Sequence, residues 1–497
     1  MLFFRRSKVN LKVRHSVSKG GRSACIEPLE DRMLLAGDFS YAFQIGAAPV
    51  GQASNNDFAN AVTVDRYGNT YVVGGFAGSV DFNPSSRRIY GLASAGLTDV
   101  FVAKFGPAGE FLWAQQAGGV GEDLATSVVT DRRGNVFIAG GFTCEADFRP
   151  GRHLGILSSR GSVDAFVWEL DSAGNLVNAV RAGSPGVDAV NSIAIDVSGN
   201  LLISGVFGQV ADFAGTDLAT NGGQDIFIAK LSPALTLTFA ENIGGIGDDN
   251  GAGVTTDAQG NIYAIGTFTG TADFDPGSGT HDVISKGGTD AYVVKLSPTG
   301  ALVSALQLGG TGDDQGTAIA LDRGGNILAA GNFAGTADFD PSVGTSNLTS
   351  AGNSDVFVAK FNPSENLAWA RKAGGAAADA VLAITVDKPG NVYTVGQFNG
   401  TADFDPGAGT SNLLGTPGLA NTFLWKLDSA GNLGYARMFK TASGFSEGTG
   451  VALDAAGNLL VSGRFSGTVD FNGGSKVSNR STGSDTSYDA FLENLLA

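Results

Sequence analysis

GTAIALDRGGNILAAGNFAGTADFDPSVGTSNLTSAGNSDVFVAKFNPSENLAWARKAGG, residues 316 to 375, is one unit of a repeat that the chain carries seven times. The register shows it. An Asp-x-x-Gly-Asn turn has its Asp at Asp65, Asp131, Asp196, Asp257, Asp322, Asp387 and Asp454, in steps of 66, 65, 61, 65, 65 and 67. An Asp-Phe pair follows at Asp81, Asp147, Asp212, Asp273, Asp338, Asp403 and Asp470 with the same steps. Two motifs locked together at a long fixed period mean stacked supersecondary units. The units start near residues 55, 121, 186, 247, 312, 377 and 445.

Within the quoted unit, four runs read as half-buried strands: Gly316–Asp322, Asn326–Phe333, Val356–Phe361 and Leu367–Lys372. Each mixes apolar and small residues and is bounded by Gly, Asn, Pro or Ser. The links are a tight turn, a long Asp-Phe-Asp-Pro loop, a second turn and a Gly-rich loop. Four antiparallel strands in each of seven units predict an all-β, seven-bladed β-propeller, in which radial repetition leaves only short sheet edges. Phe76, Phe142, Phe207, Phe268, Phe333, Phe398 and Phe465 end the second strands. The Phe of each Asp-Phe pair and the ring that begins each third strand, Phe357 in the quoted unit, form two more layers. These rings are read as core, each contributing roughly 1.5–3 kcal/mol on burial.

The ends of the chain carry a second expectation. DFSYAFQIG, Asp38 to Gly46, reads like a fourth strand, as in FLWAQQAGG from Phe111, yet it precedes the first unit. SYDAFLENLLA at the other end is a third strand with no fourth after it. Phe39–Ile45 is therefore expected to complete the last blade and close the ring, making 38–497 one domain.

Residues 1–37 are a separate head. The first 36 residues hold eight of the 32 basic residues and three of the 48 acidic ones, leaving 24 against 45 for the remainder. Such asymmetry marks a distinct segment, here read as a disordered sorting head. It lacks the apolar centre of an ordinary signal peptide. No run of about 18 apolar residues exists, so no membrane span is expected. Its charges are scattered, and no nucleic-acid partner is expected. Cys25 and Cys144 recur in no other unit, which excludes a disulfide framework.

Two resemblances bear on these readings. IEPLEDRMLLAGD, Ile26 to Asp38, resembles the N-terminal Leu-Glu-Pro-Arg-x-Leu-Leu motif of large planctomycete surface proteins. Leu29, Glu30, Arg32, Leu34 and Leu35 match its positions, and Asp31 stands where that family often has Pro. The resemblance implies an extracellular or cell-surface address. The units resemble the bacterial seven-bladed β-propeller repeat family (SBBP) through their Asp-x-x-Gly-Asn turns and through Gly266–Gly277, Gly331–Pro341 and Gly396–Gly407.

Chemistry is expected on one loop face. The loops entering the units end in Asp57, Asp123, Asp188, Asp249, Asp314, Asp379 and Glu447. The long loops open with the Asp of Asp-Phe and close with Asp99, Asp164, Asp225, Asp290, Asp355, Asn421 and Asp489. This reads as an acidic contact face for a cation, a basic protein or a glycan. Asp273 and Asp275, Asp338 and Asp340, and Asp403 and Asp405 are the calcium candidates, since paired carboxylates on a Gly-rich loop suit an ion that takes 6–8 oxygens. Capping of loop N–H groups is the competing reading for the first Asp of each pair. His15, His153 and His281 have no Ser or Cys partner in a nucleophile motif, and no phosphate-cradling or zinc-protease motif occurs. The chain is read as a monomeric binding or scaffold module and not an enzyme. The alternatives are a hydrolase or lyase acting on extracellular polysaccharide, and a purely structural envelope protein.

Overall fold

The computed structural model describes residues 39–46, 56–83, 88–149, 155–472, 478–482 and 487–496. The chain divides into two units, Met1–Leu35 and Ala36–Ala497. The sorting motif (Leu29, Glu30, Arg32, Leu34, Leu35) lies outside the described residues.

Every described element is a β-strand. In the fifth repeat, Gln315–Leu321, Ile327–Phe333, Asp355–Phe361 and Leu367–Gly375 pair antiparallel in that order. The first three begin or end within a residue of the sequence reading. The fourth runs three residues further, because Gly374 and Gly375 pair with Asp403 and Ala402 of the following repeat. The long Asp-Phe-Asp-Pro loop also differs from expectation. It contains a short hairpin, Thr336–Asp338 against Asn347–Thr349, and the first arm pairs with Gly309 and Gly310 of the preceding repeat. The hairpins of the second to seventh repeats tie one sheet to the next in this way, while that of the first, Ser79–Asp81 with Gly91–Ala93, pairs only with itself among the described residues.

Local chemistry explains the turns. The Oδ1 atom of Asp322 accepts the backbone N–H groups of Gly324 (2.9 Å) and Asn326 (3.0 Å), and its Oδ2 accepts the Asn326 side-chain amide (2.7 Å). An Asp that bonds its own turn offsets the loss of ladder hydrogen bonds there. The Gly of the turn stands at φ +75°, a conformation other residues adopt at a cost. Asp65, Asp131, Asp196, Asp257 and Asp454 make the same pattern of bonds.

The aromatic layers are core, as the register predicts. Phe333, Phe339 and Phe357 are fully buried with ring centroids 5.5, 6.5 and 4.6 Å apart. The same triad recurs as Phe76–Phe82–Phe101 and Phe465–Phe471–Phe491. Gly331 makes room for it: a Cβ there would collide with the Gln315 carbonyl and lie 2.6 Å from the Phe357 ring.

Among the described residues the apolar side chains form seven clusters, six of them shared between consecutive repeats. The remaining one joins Val72, Phe76 and Phe101 of the first repeat to Leu460, Ala490 and Leu492 of the last, with Ile45 between them. The first strand of each repeat packs on the first strand of the next, and Leu433–Leu453 packs back on Phe58–Val64. Side chains cross these contacts: Asn60 donates to the Ala125 carbonyl (2.8 Å), Thr126 to that of Val190 (2.6 Å) and Thr449 to that of Ala59.

The leading strand, Phe39–Ile45, pairs antiparallel with the final strand, Asp489–Leu495. Its register reproduces a fourth strand. Tyr41 faces Asn494 as Trp113 faces Lys104, Gln44 faces Phe491 as Gln116 faces Phe101, and a bulge falls at the same place. The Gln44 side chain donates to the Ser481 carbonyl (3.1 Å) and to Asp489, as Gln116 donates to the Ala93 carbonyl (2.8 Å) and to Asp99 (3.1 Å).

Candidate cation-binding loops and their framing carboxylates

The structure separates the acids of the loop face into two groups. The residues at the ends of the entering loops, Asp57, Asp123, Asp188, Asp249, Asp314, Asp379 and Glu447, are all buried. So are Asp99, Asp164, Asp225, Asp290, Asp355, Asn421 and Asp489. The expected acidic contact face therefore loses these fourteen positions. The reason is hydrogen bonding. Asp314 accepts Gly310 N–H with Oδ2 (2.7 Å) and Ala334 N–H with Oδ1 (3.1 Å). It thus binds the end of the preceding fourth strand to the end of its own second strand. Asp123, Asp249 and Asp379 do the same across identical spacings. Glu447 instead accepts from Arg464 Nε at 2.7 Å.

The second group closes the long loops. Asp355 accepts Ala351 N–H (3.0 Å) and the Lys372 ammonium (3.0 Å), and Asp164 accepts Arg160 N–H and Arg181 (3.1 Å). Burial dominates the electrostatics of both groups: it pushes the carboxyls of Asp99, Asp123, Asp249, Asp314, Asp379 and Asp489 up to about 6, and that of Asp57 to about 9.

The calcium candidates sit differently. Asp273, Asp338 and Asp403 each end the first arm of a hairpin and are half-buried. Asp273 Oδ1 accepts the N–H groups of Asp275 (2.9 Å) and His281 (2.8 Å) and clamps the mouth of the loop. Asp338 and Asp403 clamp theirs through Asp340 and Ser346, and through Asp405 and Ser411. The second acids, Asp275, Asp340 and Asp405, use Oδ1 to accept Gly277, Ser342 and Gly407. Their Oδ2 atoms turn into the loop, where a Cβ on Gly279, Gly344 or Gly409 would collide with them. Each loop thus gathers two carboxylates and turns one oxygen inward over a glycine. No cluster of three or more His, Cys, Asp or Glu side chains in metal-binding proximity occurs among the described residues. His15, Cys25 and His153 lie outside the described residues; Cys144 is a free, exposed thiol.

On the opposite edge of the sheets is a row that reading by loops missed. The next-to-last residue of the third strands is Lys104, Glu169, Lys230, Lys295, Lys360, Lys426 and Asn494. Lys360 Nζ binds Asp322 Oδ2 (2.9 Å) of its own repeat and the Ser429 carbonyl (3.3 Å) of the next. Lys230 does the same with Asp196 (3.2 Å) and Pro298 (3.3 Å), and Lys104 reaches the Ser172 carbonyl at 2.9 Å. The signal, a basic residue at one fixed strand position, was present in the sequence.

No protein-family model matches the chain. Among curated proteins it is similar to an uncharacterized WD repeat-containing protein of Acanthamoeba polyphaga mimivirus, 22% identical over 90% of this chain and 38% of that protein. It is also similar to the regulatory protein FlaEY of Caulobacter vibrioides, 24% identical over 31% of this chain and 16% of that one. The chain therefore spans well under half the length of the curated relatives it matches. Among solved structures, streptogramin B lyase has a TM-score of 0.43 at 9% identity, covering 92% of this chain and 97% of that one. Sqt1 from Chaetomium thermophilum has a TM-score of 0.43 at 9% identity, covering 93% and 99%. The chain's own repeated antiparallel four-stranded sheets are those of a β-propeller-type repeat protein.

Proposed function

We propose that the seven repeats form a closed seven-bladed propeller, exported to the cell surface, that works as a binding or scaffold module. The observation that carries the closure is the leading strand, which takes the place of the missing fourth strand beside Asp489–Leu495 and repeats the Gln116–Asp99 contacts with Gln44 and Asp489. The cluster shared by the first and last repeats supports it. A ring of near-identical blades tied by buried carboxylates is a rigid platform, and its variable parts are the hairpin loops. Those loops are the contact surface in this reading, with calcium held in the Asp-Phe-Asp-Pro loops of the fourth to sixth repeats as a stiffening ion. The Leu29–Leu35 motif supplies the address.

Export and closure are tested separately. Fractionation of the source cells with an antibody to the repeats is expected to find the protein outside the cytoplasm; full retention inside overturns the address. Particle images of the purified chain are expected to show a disc with seven radial densities, and an open spiral or another number overturns the ring.

A further inference from the structure

The row of third-strand lysines contains one reversal of charge, and it lines a cavity between two repeats. At Lys104, Lys230 and Lys360 an ammonium fills the seam between two repeats and reaches a carbonyl in the following repeat's turn. Two of the three also bind the turn Asp of their own repeat. In the second repeat that position is Glu169. The seam between the second and third repeats holds a cavity of about 520 Å³, lined by Asp131, Asn135, Phe137, Glu169, Asp196 and Pro233 among others, and the seam between the sixth and seventh repeats, where Lys426 is in place, holds one of about 530 Å³; the difference at the first is its charge, not its size. Its volume is that of a small-molecule pocket.

Each wall has a counterpart in a sister seam. Asp131 corresponds to Asp196 and Asp322, which hold the lysine ammonium there. Pro233 occupies the turn position of Ser172, Pro298 and Ser429, whose carbonyls cap it. Phe137 stands where Tyr71 and Tyr263 present their rings to Lys104 and Lys295 at 5.0 and 5.2 Å. Only the cation is missing. In its place is Glu169, a buried residue whose carboxylate, among the described residues, accepts only one long hydrogen bond, from the Asn135 amide at 3.5 Å. Burial and the Asp131 charge both push the Glu169 carboxyl up, the signature of two acids facing each other without a counter-charge. Asp196 is already satisfied by Lys230; Arg132 and Arg133 also line the cavity, with their side chains exposed and no ion pair to Asp131 or Glu169.

We propose that this cavity binds a primary alkylammonium group, which takes the position held by a lysine ammonium in the sister seams. Asp131 and Glu169 supply the charge, the Pro233 carbonyl a hydrogen-bond acceptor and Phe137 an aromatic face. A divalent metal fits less well, because two carboxylates and a carbonyl fall short of the six to eight oxygens calcium takes. The inference concerns one seam and does not depend on closure of the ring.

The test is thermal melting of the full chain at pH 7.5 with n-butylammonium, putrescine or Nα-acetyl-lysine amide, against tetramethylammonium and CaCl2. The primary amines are expected to raise the melting temperature in a saturable way. Glu169→Lys, which supplies the cation covalently, is expected to melt higher by itself and to lose the response. Glu169→Gln keeps the shape, serves if the lysine variant does not fold, and is expected to bind butylammonium at least tenfold more weakly by calorimetry. Stronger binding of putrescine than of the acetyl-lysine amide identifies a free polyamine as the ligand, and the reverse identifies a peptide lysine. No shift with any primary amine overturns the proposal. So does an equal shift with tetramethylammonium, or one that survives in both variants.

Discussion

Gln44 and Asp489, 445 residues apart in the chain, are hydrogen-bonded across the pair formed by the leading and final strands. Deleting residues 38–46 removes that bond, the buried Ala42 and Ile45 side chains and the ladder along Asp489–Leu495. The expected loss is roughly 5–10 °C in melting temperature, from a few kcal/mol of burial and the slope for large domains. A synthetic peptide of residues 38–46 added in trans is expected to restore part of it. An unchanged calorimetric melt refutes the latch.

The buried aspartates make stability depend on pH. Asp99, Asp123, Asp249, Asp314, Asp379 and Asp489 have carboxyls pushed by burial to about 6, above the 3.8 of an exposed Asp. The folded state therefore favours their neutral form. Their contribution is fully present below pH 3.8 and is lost as the pH rises through 6. Asp428 opposes them at the acid end, since the Asn432 amide holds its carboxyl below the usual range. The melting temperature is expected to peak between about pH 4 and 5 and to fall by several degrees toward pH 7.5. A melt that is flat or rises over that interval contradicts the assignment.

The aromatic triads are expected to be the most sensitive positions. Phe339→Ala removes a fully buried ring and is expected to cost about 3–5 kcal/mol in urea unfolding. Gly331→Ala forces a methyl against the Gln315 carbonyl and the Phe357 ring, and is expected to cost at least as much as an ordinary overpacking change, about 1–3 kcal/mol. If Gly331→Ala is neutral, the close approach of the first and second strands is wrong.

Calcium is read directly by comparing melts in millimolar CaCl2 and in chelator. A rise of a few degrees is expected, and the triple variant Asp275→Asn, Asp340→Asn, Asp405→Asn is expected to abolish it while still folding. Identical melts in the two conditions remove the metal from the reading and leave these acids as loop caps.

Much of the strand pattern was legible because it is local. Period-two runs and the Asp-x-x-Gly-Asn turns need only their own residues, and the backbone N–H groups that Asp322 caps reach no further than Asn326. The aromatic layers were legible through register alone. The fate of the loop acids was not. An Asp beside Gly looks the same whether it faces water or caps an N–H, and Asp314 is decided by Ala334, twenty residues on. The hairpin inside the long loop was hidden for a similar reason, since Thr336–Asp338 gains a second partner only in the preceding repeat. Lys104 and its equivalents form a column in the sequence, but the carbonyls they reach lie in the next repeat.

The pairing of Phe39 with Leu495 has a mechanical consequence. A load applied through the segments beyond these two residues pulls at the same end of an antiparallel pair. The ladder then opens one hydrogen bond at a time, like a zip, instead of resisting all at once in shear. A tether at either end would let the sheet peel at low force, and the rest of the protein would be strained only after that.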